Sequence, residues 1–170
     1  MRPAVTDYAP FYARYVANVV EDDVLTALEG QSAETQRLLA SLDDQRAAYR
    51  YETGKWSVKE LIGHVTDTER VMAYRALAFA RGETVALPGF DENLYAAHAG
   101  FDSWTIGDLA EQYALVRRSS ILLFRNLPEG AWERRGIASD SPVTVLALAC
   151  IIVGHERHHL KVLRERYRIE

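Results

Sequence analysis

The sequence predicts an all-α protein, a four-helix bundle with one long crossover and short extra helices. Three observations predict it. Five prolines and ten glycines in 170 residues leave room for long helices. Apolar residues recur at steps of three and four, the spacing of a bundle helix. No run shows the strict alternation of a half-buried strand.

The opening segment carries Pro3, Pro10 and several tyrosines and is expected to hold one short helix around Phe11 to Val19. A first long helix reads from Asp22 to Leu42, with Val24, Leu25, Leu28, Leu38, Leu39 and Leu42 as its apolar positions. Gly30 and the Gln31-Ser32 pair weaken its middle. The second helix is the clearest. Ser57 and Glu60 form a capping box, in which each side chain satisfies an orphan backbone N–H. Val58, Leu61, Val65, Thr68, Met72 and Phe79 follow on one face up to Gly82.

Residues 83–104 show no sustained period and read as a crossover with one short helix near Glu92 to Ala97. Its aromatics, Phe90, Tyr95, Phe101 and Trp104, suit a substrate lid, core packing or a dimer interface. A third helix starts at the N-cap Thr105, with Asp108 as its capping acid, and ends at Asn126-Leu127-Pro128. The last helix is expected to start at Ser141-Pro142, an N-cap serine with proline at the first helical position, and to run to about Arg166.

Composition narrows the function. Hydrophobic residues make up 48% of the chain and charged residues 26%, which suits one domain over residues 1–170. Lys and Arg total 20 against 24 Asp and Glu, and no basic stripe is present, so a nucleic-acid partner is not expected. The single Cys150 excludes a disulfide scaffold, a Cys-based zinc finger and a CxxC redox pair. The longest apolar run, Val143 to Gly154, is too short to cross a bilayer, and no signal peptide opens the chain. A cytoplasmic location is the resulting expectation.

The five histidines carry most of the remaining information. At 100° per residue, His155 and His159 fall about 40° apart on the last helix. They share a sector with Leu148, Ile152 and Leu163, which aims both imidazoles into the bundle. An i, i+4 histidine pair is a two-point clamp for one metal ion. His64 lies at the border of the second helix's apolar stripe, where a facing helix can use it as a third ligand. Three histidines leave coordination positions open, as catalytic sites do and structural sites do not. The competing reading is a hydrogen-bonded core, because burying these rings unsatisfied costs a few kcal/mol.

Other residues point less sharply. Glu69 lies on the opposite border of the same stripe from His64 and is a candidate base or ligand-orienting partner. Asp67 comes out on the solvent side, and Glu156 is turned about 100° from His155, where an ion pair suits it. His158 sits to the side of the pair, His98 reads as a solvated crossover residue, Trp56 as a staple of the helix entry, and Cys150 as core.

The stretch from Gly54-Lys55-Trp56-Ser57 through Gly63-His64-Val65 to Glu69-Arg70 closely resembles the second-helix motif of the DinB-like superfamily, in particular its YfiT-like branch. Gly154-His155-Glu156-Arg157-His158-His159-Leu160 is similar to that family's fourth-helix motif, and the likeness covers residues 35–167. The resemblance implies an up-down-down-up bundle, a divalent metal (zinc or nickel) held by His64, His155 and His159, and a homodimer. It also implies a metal-dependent thiol S-transferase joining a low-molecular-weight thiol, such as bacillithiol or mycothiol, to a small electrophile. Two alternatives stay open: a metal-dependent hydrolase using bound water, and a non-catalytic metal-binding stress-response protein.

Overall fold

The computed structural model describes residues 2–169. Its main helices are α2 (Val24–Ala40), α4 (Val58–Ala80), α6 (Ile106–Arg125) and α7 (Val145–Tyr167). Short helices α1 (Ala13–Val16), α3 (Asp44–Ala47) and α5 (Glu92–Ala99) decorate the connections, and strands β1 (Arg135–Ala138) and β2 (Ser141–Thr144) form a hairpin before α7.

Local chemistry starts each long helix. Asp23 accepts from the N–H groups of Leu25 and Thr26 at 3.2 and 3.3 Å. The Ser57 hydroxyl accepts from Glu60 N–H at 3.1 Å while the Glu60 carboxylate accepts from Ser57 N–H at 2.7 Å, completing the expected box. Thr105 accepts from Asp108 N–H at 3.0 Å. Gly30 does not interrupt α2, which runs unbroken past it.

The apolar stripes meet in two clusters that fix the direction of every helix. One joins the first turns of α2 and α7 to the last turns of α4 and α6. The other joins the ends of α2 and α7 to the starts of α4 and α6. The helices therefore run up, down, down and up. Both α6 and α7 pack against α2 and against α4, so α2 and α4 lie on a diagonal. Between the clusters lies a buried polar layer containing His64, Glu69, Tyr113, Arg117, His155 and Glu156.

Two expectations need correction. Ser141 and Pro142 do not begin the last helix; they belong to β2, paired with Ala138 and Ile137. The chain reverses at Ser139 and Asp140, whose φ angles of 51° and 58° fit the tight turn of a hairpin. Leu87 bridges the outer edge of β1, but among the described residues no strand lies beyond β2, so Pro142 loses no needed donor. Thr144, not Ser141, caps α7, accepting from Ala147 N–H at 3.2 Å. The opening helix is also shorter than expected, a 3-10 turn at Pro10–Tyr12 running into α1. Among the described residues no helix is long and apolar enough to cross a membrane.

Candidate metal centre

His64 comes from α4, and His155 and His159 come from successive turns of α7. The antiparallel packing of these two helices brings the three rings together. His155 Nε2 lies 3.0 Å from His64 Nε2 and 3.1 Å from His159 Nε2. One ring nitrogen from each residue falls within 4.8 Å of the others. The rings meet edge to face, with centroids 4.5 to 4.9 Å apart.

This geometry is hard to satisfy with protons alone. A single imidazole nitrogen either carries a proton or offers a lone pair. His155 Nε2 can thus hydrogen-bond properly to one of its two neighbours, not both. His159 Nδ1 is also buried without a hydrogen-bond partner among the described residues. One cation accepts all three lone pairs. Ligand bonds of about 2.0–2.1 Å to nitrogen put tetrahedral donors about 3.3 Å apart, close to the two separations found around His155. The residues fit a divalent ion.

Burial prepares the donors. It pulls the His64 pKa down to about 4. His155 and His159 are pushed well below the usual histidine value, first by burial and then by the fields of neighbouring histidines and Arg14. All three are neutral at pH 7, the form that ligates.

The triad opens into a cavity of about 400 Å³. Its walls are Tyr12, Tyr15, Trp56, Met72, Phe90 and Ile151, with Arg14, Glu92 and His158 among the polar residues. Gly154 makes the Tyr15 wall possible: a Cβ there would lie 1.8 Å from the Tyr15 carbonyl oxygen, so only glycine lets the opening segment cross α7. The Tyr15 ring then meets His155 edge-on at 5.2 Å.

Several expectations change here. Glu69 is no base for this cavity. Both its oxygens accept from Arg117 Nε, at 3.0 and 3.1 Å, and it does not line the pocket. Trp56 does more than staple the helix entry, since its ring packs on His64 with centroids 4.8 Å apart. Of the crossover aromatics only Phe90 lines the cavity, while Phe101 is buried against Gly63. Glu156 has its ion pair, with Arg117, and Asp67 pairs with Arg70 at 3.1 Å. His98 is exposed and contacts its own helix at Leu94 O. Cys150 is core, and burial pushes its thiol up to about 11.

The family model of the DinB superfamily matches residues 27–163. The chain belongs to the DinB superfamily. YfiT from Bacillus subtilis, described as a probable metal-dependent hydrolase with an unusual four-helix bundle topology, shares this fold. It superposes with a TM-score of 0.76 at 16% identity, covering 99% of this chain and 92% of its own. A mycothiol-dependent maleylpyruvate isomerase shares the fold with a TM-score of 0.67 at 15% identity, over 85% of this chain and 61% of the isomerase. A protein of Oceanobacillus iheyensis, provisionally named as a metal-dependent hydrolase, is 22% identical over 145 residues, 84% of each chain. Within this DinB-superfamily chain, Arg14, Tyr15 and Glu92 are among the cavity residues that sequence reading missed. Arg14 and Tyr15 precede the matched region, and the one local signal for them is Gly154, the single glycine of α7.

Proposed function

We propose that the protein is a divalent-metal-dependent enzyme that activates a low-molecular-weight thiol for transfer to a small electrophile, with zinc or nickel held by His64, His155 and His159. The observation that carries this reading is the convergence of three neutral imidazoles on one point in a cavity of about 400 Å³. That volume exceeds what a lone attacking water requires and accommodates two small reactants. A bound divalent cation supplies Lewis acidity, lowering the pKa of a thiol or water that shares it.

The chain's own residues do the rest. Three histidines without a carboxylate leave the full charge of the ion in place. Tyr15, Trp56, Met72 and Ile151 form a largely apolar wall that limits water. In the reaction the thiol releases its proton to solvent and its sulfur pair forms the new S–C bond. The electrophile's leaving group departs with the displaced pair. No protein cysteine takes part, in keeping with the burial of Cys150.

Hydrolysis is the second reading, favoured by Glu92, the one carboxylate among the described residues lining the cavity. A screen separates the two. Metal-loaded protein is mixed with monochlorobimane and, in turn, bacillithiol, mycothiol, coenzyme A, glutathione and cysteine. The thiol reading expects acceleration with one thiol and its loss on chelation. Metal-dependent cleavage of esters or amides without any thiol selects the hydrolase, and inactivity in both with tight metal selects a binding protein.

A further inference from the structure

We propose that Arg14 is the anion subsite of this cavity, and that the molecule taken there is a small carboxylate whose reactive end points to the three histidines. This rests on the reading of the cavity as a substrate site and adds a substrate class to it.

Arg14 is placed as a recognition group. Its guanidinium lies over the Phe11 ring at 4.6 Å and the Tyr15 ring at 4.7 Å, and it donates one hydrogen bond to Tyr15 Oη at 2.8 Å. An exposed arginine ordinarily samples many rotamers; this one is braced by two rings and a hydroxyl. One of its five donors is engaged in that hydrogen bond. No ion pair joins it to a carboxylate among the described residues, whereas nearby Arg157 and Arg164 pair with Glu21 and Glu34.

Its position ties it to the site. Arg14 lines the same cavity as the three histidines, and Tyr15, which it grips, packs on His155. Its positive field reaches His155, His158 and His159. The groove beyond His158 is also lined by Arg14 and by Lys161, whose contact with Glu165 is loose at 3.8 Å. Neutral imidazoles bring no negative charge, and the one carboxylate on the cavity wall, Glu92, balances Arg14 in number without pairing with it among the described residues. The pocket is therefore short of negative charge once a divalent ion is present. A planar, fixed guanidinium matches a carboxylate through two parallel hydrogen bonds. One such group balances one negative charge, which favours a carboxylate over a doubly charged phosphate.

Calorimetry with two probe pairs tests this. Propionate and its neutral analogue propionamide are titrated into metal-free and zinc-loaded protein. 3-Mercaptopropionate and 2-mercaptoethanol are titrated into the zinc-loaded form. The expected result is at least tenfold tighter binding of the carboxylate in each pair. Arg14→Gln should erase that preference, and Arg14→Lys should retain part of it, with helicity unchanged in both. Propionate binding that depends on Arg14, with neither thiol bound, would sustain the subsite and remove the thiol reading. Equal binding within each pair, or a preference untouched in Arg14→Gln, overturns the subsite and leaves the thiol reading standing.

Discussion

Arg117, on α6, donates from Nε to both oxygens of Glu69 on α4 while its Nη2 reaches Glu156 on α7. One guanidinium thus ties together the two helices that carry the histidine triad. Glu156 follows His155 directly and also accepts from Thr35 at 2.5 Å and from Tyr113 Oη at 2.6 Å. Burial opposes the charge of Arg117, yet the Glu156 and Glu69 carboxylates outweigh it and hold Arg117 above its usual pKa.

Removing that guanidinium leaves two carboxylates facing each other without a cation in the core. Breaking a buried ion pair from one side costs about 3–5 kcal/mol. We expect Arg117→Met to lose stability in that range in urea unfolding, with an unchanged m-value. A loss within the error of the measurement would show that the cluster is dispensable.

The opening segment is held by contact, not by helix propensity. In Gly154→Ala the new methyl group runs into the Tyr15 carbonyl, so α1 must lift from α7. Overpacking of this kind costs about 1–3 kcal/mol. Limited proteolysis should cut before residue 20 much faster in the variant than in the parent, while the bundle itself resists.

How much of this was legible in the sequence differs by residue. Ser57 and Glu60 act within one turn, so the capping box was readable, as was the i, i+4 pair His155 and His159. The hairpin was not. Ser139-Asp140 is a weak turn signature, and Ser141-Pro142 satisfies the local rules for a helix start equally well. Those rules are blind to the pairing of Arg135 with Thr144 that decides the matter. Glu69 was misjudged for a similar reason, since its border position suits either a base or a buried ion pair. Arg117, its partner, is set by tertiary packing that periodicity on either helix does not reveal.

In the metal-free protein, acid should weaken the fold through the triad. The folded pKa of His64, about 4, lies below the ordinary 6.5, so between these values the unfolded chain binds more protons. Stability is therefore full above pH 6.5 and declines as pH falls toward 4. The shift of His64 alone corresponds to about 3 kcal/mol at the acid end, and His155 and His159 act in the same direction. Urea midpoints between pH 7.5 and 4.5 should fall steadily, and His64→Gln should flatten that fall. A midpoint independent of pH would contradict the buried, neutral state of the three rings.

If His64, His155 and His159 together hold one divalent ion, as proposed, the metal content after dialysis depends on these three residues and not on His158. Elemental analysis is run on the parent chain, His64→Ala, His155→Ala, His159→Ala, the double variant of His155 and His159, and His158→Ala. About one zinc or nickel per chain is expected in the parent and in His158→Ala, because His158 meets Tyr15 and His159 edge-on without joining the convergent nitrogens. The other variants should fall to near zero while keeping their helicity. Metal retained at parental levels by the double variant, or lost from His158→Ala, would contradict the assignment.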